Sequence, residues 1–192
     1  RTAPLELRPK KLSVERPGTQ AYLGLGWHGP KLDHADTPAV DLLVAVLGES
    51  RSGRLTQALR DRTALVTSVS AGYSALEAAG AVVVSAQLDP GNIERTEAEV
   101  LNEIRRVRER GVTEGELRRA VTAAEARHAF SSETAEGRAW AFGRAETVWR
   151  LEDELAYINR LRSVTREQIR VAARRYLDLE RYTRLALAPK AR

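Results

Sequence analysis

A chain of 192 residues with 43% hydrophobic side chains can bury a substantial core, and the absence of cysteine excludes disulfides and thiol chemistry. The net charge of +5 invites a nucleic-acid reading. However, lysine occurs only at positions 10, 11, 31 and 190, and the many arginines are interleaved with Asp and Glu, as in "EAEVLNEIRRVRERGVTEGELRR". Pairing at i to i+4 on a wet helix face accounts for that pattern, and no basic run with interleaved aromatics offers a stacking platform, so no nucleic-acid partner is expected.

No apolar run approaches the roughly 20 residues of a membrane helix, and no short apolar block of a signal peptide stands at the start, so a soluble chain without a membrane span is expected. Residue 1 is Arg, which suggests a piece of a longer protein and leaves the compartment open.

Residues 1–19 hold prolines and charges without helical period and read as a linker from a preceding domain, with a single domain over 20–192. "QAYLGLGWH" sets Ala21, Leu23, Leu25 and Trp27 against Tyr22, Gly24, Gly26 and His28, the period-2 pattern of a strand with one buried face. The glycines on its other face suggest that something packs close there. Thr37-Pro38 predicts a helix start with a capping hydroxyl, and Val40, Leu43, Val44 and Leu47 give that helix one apolar stripe.

Ser52 can cap the next helix, whose apolar face holds Leu55, Ala58 and Leu59. Two strands, 65–74 and 80–88, read as a hairpin; in the first, Leu65, Thr67, Val69, Ala71 and Tyr73 fall on one alternating face. Ile93, Val100, Leu101, Ile104 and Val107 mark a helix ended by Gly111, and Thr113 with Glu116 predicts a capping box for a helix over 114–131. Helices near 134–149, 151–162 and 166–177 follow, the last with a Thr165/Gln168 capping box, before a closing strand with Thr183, Leu185 and Leu187 on one face. This order predicts an α+β, two-layer sandwich, a mainly antiparallel sheet with helices packed on one side.

The residues alone carry little sign of catalytic chemistry. His28, His34 and His128 show no pair at helical metal-ligand spacing, there is no G-x-S-x-G elbow, and "GLGWHG" is not a phosphate loop. Arg60 reads as a cation at a helix C-terminus, worth a few tenths of a kcal/mol up to about one against the helix dipole. Thr67 puts a small polar group into an otherwise apolar series.

The stretch "SGRLTQALRDRTALVTSVSAGY", residues 52–73, resembles a segment of the pitrilysin-type (M16) zinc metallopeptidases that reads S-R-L-x-Q-x-L-R-[DE]-x-x-x-L-x-Y-S-V-S-A. "RPGTQAYLGLGWHGPKLDHADTPAVDLLVAVLGES", "GVTEGELRRAV" and "RLRSVTREQIRVAARRYLDLERYT" resemble further family segments in family order, over residues 11–189. The resemblance implies the processing-peptidase-like metallohydrolase fold and, because no H-x-x-E-H occurs, the C-terminal non-catalytic domain.

Such a domain binds extended peptide and closes a chamber with an H-x-x-E-H partner that carries the zinc. It holds no metal or other cofactor itself and is not catalytic alone. The family's substrate-binding arginine then falls on Arg60, and its tyrosine on Thr67, a departure because threonine is shorter and a weaker acid than tyrosine. The resemblance implies as partners the catalytic domain or subunit, the peptide substrate and, as an option, a second copy of the chain. A different class of reading stands beside it, a structural or assembly module of a degenerate peptidase pair, since relatives serve as structural subunits of respiratory complexes.

Overall fold

The structure is a computed structural model and describes residues 9–49 and 51–190. Five strands form one sheet in the order β1-β5-β2-β4-β3: β1 Lys11–Arg16, β2 Ala21–Gly29, β3 Val66–Ala75, β4 Gly80–Leu88 and β5 Thr183–Pro189. β5 pairs antiparallel with β2, as do β2 with β4 and β3 with β4; only the β1–β5 pair is parallel. The described residues also form six α-helices: α1 Thr37–Val44, α2 Ile93–Arg110, α3 Glu114–Ser131, α4 Ala135–Val148, α5 Leu151–Arg162 and α6 Arg166–Tyr176. The α+β architecture and the hairpin follow the expectation.

Lys11–Arg16, inside the segment expected to be a linker, is an edge strand of the sheet; the first eight residues of that segment lie outside the described residues. The strand escapes a periodicity reading because it buries neither face, with Leu12 54% exposed. Charged residues on such an edge are a common defence against pairing with other chains.

The core lies between one sheet face and the helices. Leu23, Leu25, Trp27, Val82, Val84 and Ala86 meet Val40, Leu43 and Leu47 of the first helical region, Val100, Ile104 and Val107 of α2, and Ile169 and Ala173 of α6, all buried. Each fully buried side chain of this size contributes about 1.5–3 kcal/mol of hydrophobic stabilisation before entropy is set against it. The Trp27 ring lies 5.6 Å from that of Tyr182, and its Nε1 donates to the Asp178 carbonyl at 2.7 Å. α4 is more peripheral, with Ala145 its one buried residue.

Local signals explain the helix ends. The two capping boxes form as expected: Glu116 N donates to Thr113 Oγ1 at 3.3 Å and Gln168 N to Thr165 Oγ1 at 3.2 Å, each with the reciprocal side-chain bond. α1 differs from expectation, because Asp36 is its N-cap residue and the buried Thr37 hydroxyl instead donates to the Lys31 carbonyl at 2.8 Å. Its C-terminal extension, Ala45–Glu49, is a π-helical turn bent at Gly48. A Cβ there would sit 2.8 Å from the Ala71 backbone nitrogen, so glycine is what lets this turn rest on β3.

A buried ion-pair cluster stands at the edge of the core, around Arg184 and Glu97. Arg184, 7% exposed on β5, donates Nε to Glu97 at 2.6 Å, a terminal nitrogen to Glu94 at 2.5 Å and another to Ser13 at 3.2 Å. Tyr182 also donates to Glu97 at 2.6 Å, and burial followed by the Glu97 carboxylate pushes its phenol up to about 12. The cluster ties β1, β5 and α2 together, and a buried guanidinium needs this full set of acceptors to be tolerated. Arg184 and Ala186 therefore face inward, while Leu185 turns to the opposite, open face of the sheet.

Candidate functional site

The resemblance-bearing stretch folds as a helix that runs through a π-helical segment, Thr56–Arg62, into β3. Leu55, Thr56, Ala58 and Leu59 are buried and anchor it. Its end is closed by Thr63 Oγ1, which donates to the Ala58 and Leu59 carbonyls at 2.8 and 3.2 Å, and by Leu65 N, which donates to the Leu59 carbonyl at 2.8 Å. Ala64 completes the reversal at φ +49, a left-handed conformation that costs a non-glycine residue about 1–2 kcal/mol. Wide helical turns and strained backbone of this kind concentrate at functional sites.

Three arginines of the stretch meet different fates. Arg54 forks Glu116, Nε to Oε1 and Nη2 to Oε2 both at 2.7 Å, and also donates to the Gly111 carbonyl at 3.2 Å. The two side chains are 19% and 16% exposed. Burial raises the Glu116 carboxyl, but the bonds from Arg54 and from the Thr113 backbone N–H outweigh it and hold the group at about 2. Arg62 reaches Glu103 of α2, itself buried, at 3.3 Å.

Arg60, between them, has as its ion-pair partner among the described residues its own neighbour, Asp61, at 2.9 Å. Its side chain is 39% exposed and that of Asp61 47%. An exposed pair between adjacent residues contributes on the order of a few tenths of a kcal/mol at most. Arg60 is therefore held by its backbone on a well-anchored helix end while its guanidinium stays available to an incoming acceptor.

Thr67 lies at a β-bulge: Val66 pairs with Leu88 and Ser68 with Gln87, so Thr67 is the extra, unpaired residue. The expectation that Leu65, Thr67, Val69, Ala71 and Tyr73 share one alternating face fails here. The added residue shifts the alternation by one, so Val66 is buried before the bulge, Ala71 is buried after it, and Thr67 points to solvent. Bulges on edge strands also re-aim side chains. Arg60 and Thr67 thus flank the same tight reversal and are both accessible, with no hydrogen bond between them.

Tyr73 does not replace the tyrosine expected at Thr67. It stands toward the other end of β3, its hydroxyl donates to the Pro30 carbonyl at 2.6 Å, and burial pushes its phenol up to about 12. Its ring fills the space that Cβ atoms on Gly29 and Gly80 would occupy, which makes it part of the packing.

The histidines are dispersed: His28 is exposed on β2, His34 Nδ1 accepts from the Asp36 backbone N–H at 3.0 Å, and His128 lies near the end of α3. Among the described residues, no group of three or more His, Cys, Asp and Glu side chains could hold a metal ion. No helix among them is long and apolar enough to cross a membrane.

The second accessible surface is the open sheet face, which sequence reasoning marked only through its glycines. Tyr22, Val83 and Leu185 are 50%, 42% and 39% exposed there. Nothing described comes within 4 Å of a Cβ built on Gly26, and on Gly24 only Leu185 does, at 3.9 Å. Among the described residues, therefore, nothing covers the face at these glycines.

Comparison with known proteins agrees with this arrangement. The fold matches a protease from Helicobacter pylori at TM-score 0.86 and 20% identity, over 95% of this chain and 44% of that one. It matches a peptidase M16 inactive domain from Pseudomonas fluorescens at TM-score 0.81 and 23% identity, over 96% and 44% respectively. A chain of complex III2 from Candida albicans is similar at TM-score 0.79 and 12% identity, over 94% of this chain and 46% of that one. This chain thus spans less than half the length of these relatives. No curated protein matches it in sequence. The family profile described as the peptidase M16 inactive domain matches residues 2–124. The chain belongs to the peptidase M16 inactive-domain family.

Proposed function

We propose that this chain is the non-catalytic half of a zinc-dependent endopeptidase, where it binds extended peptide and closes the chamber against an H-x-x-E-H partner. The observation that carries the reading is Arg60: an arginine on an anchored helix end whose ion-pair partner among the described residues is an exposed neighbour, six residues from a second arginine that is fully engaged. A guanidinium so placed donates to a peptide carbonyl and orients it, and such a bond strengthens when negative charge develops on that oxygen. The zinc belongs to the partner in this reading, in keeping with the dispersed histidines of this chain. The open sheet face, with Tyr22, Val83 and Leu185 exposed, is the surface we assign to chamber closure.

The test is reconstitution. Adding this chain to its H-x-x-E-H partner, whether encoded beside it or on the same polypeptide, should switch on cleavage of an extended peptide that the partner alone cleaves poorly. Cleavage unchanged by the addition would reject the proposal.

A second reading, a structural or assembly module without proteolytic output, draws on Thr67. A threonine on the exposed bulge supplies neither the reach nor the acidity of a phenol. It predicts a tight complex with the partner and no stimulation of cleavage.

A further inference from the structure

A second surface lies along α3. Four residues of its first two turns decide it: Glu114, Glu116, Arg118 and Arg119. Pairing along the helix would neutralise the two arginines, but both carboxylates are taken by other elements. Glu116 is forked by Arg54 at 2.7 Å, and Glu114 faces Arg166 of α6 at 3.4 Å. Arg118 and Arg119 are exposed and, among the described residues, have no ion-pair partner. The pairing expected from the sequence is thus diverted across elements, and two adjacent cations are left without a carboxylate among the described residues.

These two cations border a groove. A cavity of about 570 Å³ runs between α3 and the π-helical turn that ends α1. Val46, Ala120 and Ala123 form its apolar floor, Ala126 stands at its rim, and Arg118 and Arg119 line it. Small side chains on a helix flank let a second helix approach closely, and arginine is favoured at protein interfaces because its stem covers apolar surface while its fork meets carboxylates. The groove adjoins Glu116 but not Arg60, so it is separate from the peptide site proposed above.

We infer that this groove docks an acidic amphipathic helix of a partner polypeptide, its small apolar residues on the alanine floor and its Glu or Asp side chains on Arg118 and Arg119. An apolar stripe flanked by acid is the chemistry that fits such a floor with cations beside it that no described carboxylate neutralises.

The probe is a labelled synthetic helix of about four turns with Leu and Ala on one face and Glu on its flanks, titrated against this chain and read by fluorescence anisotropy. A second helix carries Lys in place of Glu. The Glu helix should bind saturably and more weakly as salt rises, and the Lys helix should not bind. Arg118→Glu with Arg119→Glu should weaken binding by about tenfold or more, and so should filling the groove by Ala123→Trp or, at the more exposed rim, Ala126→Trp. Circular dichroism establishes that each variant is folded. Arg60→Ala should leave this binding unchanged, which keeps the result independent of the peptide site. Three outcomes overturn the inference: no binding of the Glu helix, equal binding of the Lys helix, or binding indifferent to both folded tryptophan variants, which would mean diffuse charge attraction. Self-association of the chain that is abolished by the double arginine change would overturn it too, by assigning the groove to a second copy.

Discussion

Arg54 and Arg60 belong to one helix and to one recognisable stretch, yet they do opposite work. Arg54 is largely buried, bidentate and locked to a carboxylate that also closes a capping box on α3, so it joins two helices into one unit. Arg60 leans on an adjacent aspartate and remains available. A motif that reads as a single functional signature therefore divides into a locked arginine and an available one. What divides it is whether a carboxylate from a distant element has reached the guanidinium first.

That division yields a graded series of stability effects. Arg54→Ala strands Glu116 beside a half-buried helix start and should lower unfolding free energy in urea by about 2–3 kcal/mol. Equal losses for Arg54→Ala and Arg60→Ala would erase the distinction.

Acid should sharpen it next. Glu116 has a folded-state value of about 2, below its ordinary value of 4.5, so its contribution is fully present above the unfolded value and is lost as pH falls from about 4.5 toward 2. Glu116→Gln should remove that part of the acid destabilisation, on the order of 1–2 kcal/mol after allowance for solvent screening. An acid unfolding curve identical to that of the parent chain would show that the fork does not stabilise the fold.

The reversal between the arginine helix and β3 offers a smaller effect of opposite sign. Ala64→Gly relieves the left-handed strain at a cost in chain entropy, and thermal unfolding should report a gain of about 0.5–1 kcal/mol. Destabilisation would mean that the methyl group has a packing role. Smallest of all, Thr67→Ala on the exposed bulge should shift stability by less than about 0.5 kcal/mol. A larger loss would place Thr67 with Arg54 in the scaffold.

The strong periodicities were legible in the sequence: β2, the β3–β4 hairpin, α2, and the two capping boxes, each of which needs only local spacing. Three features were not, and each depends on contacts distant in sequence. β1 buries neither face, so its alternation carries no hydrophobic signal, and it exists through pairing with β5 at the other end of the chain. The burial of Arg184 leaves no local sequence signal, because the carboxylates that admit it to the core lie 87 and 90 positions away. The bulge at Thr67 changes which side chains share a face, and no residue in "ALVTSVS" announces it. For the site, the family resemblance supplied the positions of Arg60 and Thr67. The availability of the one and the outward aim of the other came from the structure.

The most direct test compares Arg60→Ala with the parent chain in the reconstituted pair proposed above, measuring peptide cleavage and unfolding free energy on the same preparations. The predicted result is a fall in kcat/KM of about 100-fold, the scale of a lost charge-stabilising donor, with stability unchanged within about 0.5 kcal/mol. Unchanged cleavage, or a loss of cleavage that merely follows a loss of stability, would contradict the assignment of Arg60 to the substrate.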